Sequence, residues 1–236
     1  MRFARAKRVV AGVVFGFIAL TAAAQSGGVT VRLSSVTTQN KSRADLRDVV
    51  AWLVPVRRSA DASELKPAKA RLIQKDKQFH PHLLILPAGS TVDFPNEDPI
   101  FHNVFSLFNG KRFDLGLYEA GESRTVRFDR VGVSYIFCNI HPQMSAVIVT
   151  VDTPYYGTSS AEGVISISKV PAGDYELHVF AEGLSSDAQK ALMKRVTVSA
   201  NDVVAHVSLP ERESNLAHKN KYGRDYDPVS GDAYDK

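Results

Sequence analysis

The chain has 236 residues, is 44% hydrophobic and 23% charged, and carries a formal net charge of +4. It is long enough for one large or two small domains and too apolar to be disordered throughout. A single cysteine, Cys138, excludes an internal disulfide framework, a cysteine-held iron–sulfur cluster, a cysteine-based structural zinc site and CxxCH haem attachment.

Residues 1–24 read as a secretory signal peptide. Arg2, Arg5, Lys7 and Arg8 form a basic head without acids, an apolar run follows, and Ala22, Ala23 and Ala24 close it with small side chains. An N-terminal membrane anchor is the alternative, opposed by the shortness of the run and the lack of a stop-transfer pattern. The segment holds four of the 29 basic residues and none of the 25 acidic ones, so the remainder is formally neutral. Basicity therefore gives no reason to expect a nucleic-acid partner. The expected location is an oxidising extracytoplasmic space, most simply a bacterial periplasm, with no membrane span after cleavage. There a free thiol is open to oxidation, so Cys138 is expected to be buried or to hold a metal.

Beyond Gln25 the apolar pattern has period two. It predicts strands over 28–33, 49–56, 82–87, 91–96, 124–130, 133–138 and 146–152. Further strands follow over 163–168, 174–180, 194–199 and 203–209. Short β-branched and aromatic runs broken by Gly, Pro and Asp argue an all-β sandwich or barrel. The stretch 113–123 reads as two strand approaches about a Gly turn. The one helical candidate is 185–194, which opens on Ser and Asp; a loop fits it nearly as well. Residues 211–236 lack aliphatic periodicity and are rich in charge, the composition of a flexible polar tail.

The chemistry concentrates in Cys138-x2-His141-x2-Met144, between the strands predicted to end at Cys138 and to begin near Ala146. Thiolate and thioether are soft donors and imidazole is borderline, a set that suits copper in both oxidation states. A trigonal arrangement of two His and one Cys with a weak axial Met is the blue-copper pattern. The loop supplies all but one His. His102, just after the strand 91–96, is the candidate for the second; His80 and His82 flank Pro81 at a strand start and compete with it. His178 and His206 alternate within strands, and His218 lies in the tail. A buried structural cysteine and a Cys–His nucleophile are the alternatives. The latter has no evident orienting acid. Trp52 reads as core, and Tyr155 and Tyr156 as packing between domains.

The stretch from Gln74 to Val151, with LLILPAGSTVDFPNED, then His102-Asn103, then the compact C-x2-H-P-x-M loop, resembles the cupredoxins, amicyanin most of all in its loop. The resemblance implies His102, Cys138 and His141 as equatorial copper ligands and Met144 as axial ligand. It implies that Asn103 bonds across to the ligand loop, with backbone N–H groups near the thiolate tuning its electron density. It also implies an exposed His141 edge as the electron port, rimmed by Pro99, Ile100, Pro142 and Gln143. Residues 153–183 are similar to the carboxypeptidase regulatory-like (transthyretin-like) module, through Gly163 and the Val-Pro-x-Gly turn to Val179. The expected domains are thus N-terminal strands 26–58, assigned to the second sandwich by that likeness, a cupredoxin over 66–152, the second sandwich over 153–210 and the tail. The first strands either join the second sandwich, with the cupredoxin inserted, or pack on the cupredoxin itself.

These features predict a non-enzymatic, periplasmic one-electron carrier with one type 1 copper. Its partners would be redox proteins such as a c-type cytochrome or a periplasmic dehydrogenase, met in small transient contacts. A copper carrier or envelope-docking module is the alternative, since fold does not guarantee electron transfer. An oxidase would need further copper sites, for which no multi-His motif is present.

Overall fold

A computed structural model describes residues 26–35, 46–57, 65–107, 110–212 and 218–226; the signal peptide expected over 1–24 lies outside them. The described chain opens with strands β1 (Ser26–Ser35) and β2 (Val49–Pro55). Then come β3 (Lys69–Arg71), β4 (Ile73–Lys75), β5 (Gln78–His80), β6 (Leu83–Pro87) and β7 (Ser90–Pro95). They are followed by β8 (His102–Ser106), β9 (Phe113–Tyr118), β10 (Ser123–Phe128), β11 (Gly132–Phe137) and β12 (Ser145–Val151). The last third holds β13 (Tyr156–Thr158), β14 (Val164–Pro171), β15 (Gly173–Ala181), α1 (Ser186–Ala191), β16 (Lys194–Val198) and β17 (Val203–Leu209). The molecule is all-β apart from α1.

Strand pairing separates two sandwiches. β1 lies between β14 and β17, and β2 between β13 and β15, with β16 beyond β15. The first two strands therefore pair with strands of the last third, and β3–β12 are inserted between them. Within the insertion, the sheet β6-β12-β11-β8-β9 shares a core with the sheet β10-β7-β3, and the β4–β5 pair stands beside them.

Side-chain alternation explains the layers. In β1, Val29, Val31 and Leu33 enter the core of the terminal sandwich, while Arg32 and Ser34 stay exposed. β12 differs because both of its faces are covered. Ala146 and Ile148 enter the core of the insertion. Val147, Val149 and Val151 point the other way and join Val50, Leu83 and Phe180 in an apolar layer between the sandwiches. Burying each such Val, Leu or Phe stabilises by about 1.5–3 kcal/mol relative to exposure, so the joint is a third core rather than a loose contact.

Some elements depart from the sequence pattern. The segment around His102, outside the strands predicted from the pattern, is strand β8, with all five residues buried. A central strand covered on both faces has no polar alternation to read. β3, β4, β5 and β13 have three residues each, too few for periodicity. α1 is shorter than predicted: Ser185 caps its start by accepting from Ala188 N at 3.2 Å, and the chain turns into β16 two residues after Leu192.

A polar latch also crosses the joint. His82 sits 3.1 Å through Nδ1 from the Ser145 carbonyl and 2.5 Å through Nε2 from Glu182 Oε2. The Glu182 carboxylate holds the His82 pKa above its ordinary value, against the opposing effect of burial. A raised folded pKa means that this stabilisation is complete below the unfolded value of about 6.5 and is lost as pH rises through the folded value. Replacing His82→Gln is therefore expected to lower the melting temperature at about pH 6 and to have little effect near pH 9. Thermal denaturation across that range checks it; a gap between the two proteins that does not change with pH refutes it.

Candidate metal centre

β11 and β12 run antiparallel, and their last pair is Phe137 with Ser145. Cys138 to Met144 form the loop beyond that pair. Two backbone bonds close it: Cys138 N–H donates to Met144 O at 3.1 Å and Met144 N–H to His141 O at 3.0 Å. Cys138 and Met144 are thus fixed at the two roots of one tight loop. His102 opens β8, which pairs with β11 through Phe105 and Phe137. Two distant stretches of sequence are brought together by strand pairing.

Cys138 Sγ lies 3.8 Å from His102 Nδ1 and 3.6 Å from His141 Nδ1. One ligand atom from each of the three residues lies within 4.8 Å of the others. The two imidazoles meet edge to face with centroids 4.9 Å apart. Cys138 and His102 are 0% exposed and His141 is 2% exposed. Met144 is fully buried in the same apolar cluster as Cys138. Bonds of about 2.3 Å to thiolate sulfur and about 2.0 Å to imidazole nitrogen, at trigonal to tetrahedral angles, put sulfur and nitrogen about 3.5–3.8 Å apart. The residues present fit a first-row metal ion.

The surroundings of each donor sharpen that fit. Burial pushes the Cys138 thiol up, while the backbone N–H groups of Asn103, Ile140 and His141 act in the opposite sense by favouring thiolate. A cation at the three donors would displace the thiol proton and remove the charge that burial disfavours. His102 Nε2 is 2.7 Å from Asp98 Oδ2. Asp98 also accepts from the N–H groups of Asp76 at 2.6 Å and Lys77 at 2.9 Å, on a turn where both residues have φ of 54°. Burial alone would raise the Asp98 pKa; the Lys77 N–H, His102 and the Asp76 N–H outweigh it and hold the carboxyl below its ordinary range. An anionic Asp98 accepts a hydrogen bond from Nε2–H, and that tautomer leaves the Nδ1 lone pair facing Cys138.

Asp98 was not singled out in the sequence. Its signal is an acid four residues before His102, and no helical or strand period makes that spacing meaningful until the turn is folded. Asn103 meets the ligand loop through its backbone rather than its side chain. Its side-chain amide donates to Asp114 Oδ1 at 2.8 Å on β9 rather than to the ligand loop, and its backbone N–H is the part that favours the Cys138 thiolate. Among the other histidines, His80 is exposed on β5 and His206 on β17. His82 serves the latch, and His178 stacks on Trp52 with centroids 5.3 Å apart. None belongs to the cluster.

Two further differences concern access. His141 is buried, where the resemblance implies an exposed edge. Residues 218–226, expected within a flexible tail, lie against the ligand loop. Tyr226 Oη donates to Cys138 O at 2.7 Å, Lys221 N–H donates to Asn139 Oδ1 at 2.9 Å, and His218 stacks on Phe137 with centroids 4.0 Å apart.

No family model and no curated protein matches the chain. Among solved structures it is similar to a purple cupredoxin from Nitrosopumilus maritimus, at 26% identity over 35% of this chain and 99% of that one, with a TM-score of 0.32. It is similar to a copper-containing nitrite reductase from Thermus scotoductus, at 27% identity over 42% of this chain and 25% of that one, TM-score 0.33. A reduced amicyanin variant aligns at 18% identity over 42% of this chain and 99% of that one, TM-score 0.33.

If Asp98 orients His102, Asp98→Ala is expected to weaken metal binding by about 10–100-fold with the β-fold intact. Competition against a chelator, followed by circular dichroism, measures both. Unchanged affinity would remove Asp98 from the centre.

Proposed function

We propose that the chain is a type 1 copper protein of the extracytoplasmic space that passes single electrons between redox partners. The observation that supports it most is the buried convergence of two imidazole Nδ1 atoms on one thiol, with Met144 at the root of the same loop. Copper bound there supplies one-electron chemistry between its +2 and +1 states, for which this soft and borderline donor set is suited. His102, Cys138 and His141 would hold it, with Met144 as a weaker donor.

The protein's own residues contribute rigidity and exclusion of water. The two backbone bonds that close the loop fix three of the four donors relative to one another. Asp98 fixes the fourth through His102. A donor set that does not rearrange between oxidation states keeps the reorganisation cost of each electron transfer low. Complete burial of Cys138 and Met144 keeps water from competing for the ion. The N–H groups facing the sulfur withdraw electron density from it, which favours the reduced state.

The signal-like N-terminal sequence supports a periplasmic location. No helix among the described residues is long and apolar enough to cross a membrane. A c-type cytochrome or a periplasmic dehydrogenase is the kind of partner such a carrier would meet. The terminal sandwich, by its likeness to transthyretin-like modules, would brace the carrier or dock it.

The burial of His141 favours a second reading, a copper carrier that shields its cargo. Reversible reduction with copper retained supports the shuttle; loss of Cu(I) to a competing acceptor supports the carrier. In the shuttle, Cys138→Ser is expected to abolish the intense visible band of the copper-loaded protein while the β-fold persists; retained colour refutes the thiolate assignment. Met144→Leu is expected to raise the reduction potential with copper still bound, as a redox titration would read. An unchanged potential removes Met144 as axial ligand.

A further inference from the structure

The C-terminal segment is built rather than merely attached. Asn220 organises it: its Oδ1 accepts from the N–H groups of Tyr222 at 3.0 Å and Arg224 at 3.1 Å, and its own N–H donates to Arg224 O at 2.9 Å. Gly223, at φ of 74°, allows the turn and donates to Asn220 O at 2.9 Å. This small frame sets Lys221 and Tyr226 toward the metal-site loop.

Both sides of the loop are then engaged. Tyr226 Oη takes the Cys138 carbonyl, and Lys221 N–H takes the Asn139 side chain. Lys221 Nζ pairs with Asp114 on β9 at 2.8 Å, so the segment bridges from the loop to the edge strand beside His102. His218 lies flat on Phe137, the residue before Cys138, and stands 3.2 Å from Tyr226 Oη. Against these contacts, none of residues 218–226 is itself buried, and the segment joins no sheet. It holds on through polar and stacking contacts that water can replace, without an aliphatic anchor. Such a segment belongs to the low-stability end of a fold and opens without unfolding it.

We propose that residues 218–226 are a strap, docked from within the same chain, that closes the face of the ligand loop and controls access to Cys138 and His141. A reagent, copper donor or redox partner reaches that face only when the strap leaves.

The test uses the full metal-free chain under reducing conditions and reads the rate of Cys138 alkylation by iodoacetamide, together with amide hydrogen exchange. Combining His218→Ala, Lys221→Ala and Tyr226→Phe is expected to raise the alkylation rate about tenfold or more and to speed exchange at 139–143. Gly223→Val, which strains the turn without removing a contacting side chain, is expected to act in the same direction. Protection in β11 and β12 should not change. Unchanged alkylation in both variants overturns the strap. So does faster alkylation with equal loss of protection in β11 and β12, because that is general destabilisation. The thiol readout needs no metal, so it stands or fails separately from the copper reading. In copper-loaded protein the same variants are expected to speed release to a chelator.

Discussion

A thiol and two imidazoles meet in an apolar interior. Cys138 belongs to the same cluster as Leu72, Phe94, Ile136 and Ile148, where a bare thiolate would be strongly disfavoured. Three backbone N–H groups soften that penalty without cancelling it. The sulfur-to-nitrogen spacings match those set by a shared metal ion. The core thus holds three donor atoms at the spacing that one metal ion would set. Much else in the insertion follows from holding those three side chains at that spacing. β8 must be central and covered so that His102 opens inside, and a turn between β4 and β5 must present two N–H groups so that Asp98 stays anionic beneath it.

The terminal sandwich takes part in the same constraint. β12 begins one residue after Met144, and its outward valines pack on Val50 and Phe180 of the other sandwich. Close-packed interiors resist small displacements. A strand clamped on both faces therefore gives the ligand loop a stiffer root than a solvated edge would. The cross-joint bond from His82 to Glu182 lies beside that root, since His82 also contacts the Ser145 carbonyl. The second sandwich is thus mechanically continuous with the loop, whatever else it binds.

Legibility in the sequence followed burial geometry. Strands with one wet face, such as β1 and β17, were plain in the alternation of Val with Arg, Ser or His. The ligand loop was plain because three rare donor types share seven residues. β8 was not, because five buried positions in a row carry no period. Asp98 was not, because its role depends on a turn at Asp76 and Lys77 that meets it only after folding. The contacts of residues 218–226 are illegible for a different reason. A segment held by a tyrosine hydroxyl, a lysine and a histidine ring has the composition of disorder, and composition does not register specific partners.

The strap bears on which of the two copper readings is the more economical. A metal passes from one protein to another by ligand exchange, which requires an incoming donor to touch the ion. One layer of polypeptide over the loop obstructs that step entirely. An electron crosses such a layer through bonds and hydrogen bonds, without any atom of the partner reaching the site. Here the layer includes a hydrogen bond from Tyr226 to the carbonyl of the cysteine whose sulfur faces both imidazoles. From that sulfur to the half-buried ring of Tyr226 the path is covalent except for the single 2.7 Å contact. A closed strap is therefore a severe barrier to copper transfer and a mild one to electron transfer. The cover that at first favours a shielded cargo is, for that reason, also compatible with a shuttle whose metal is meant to stay.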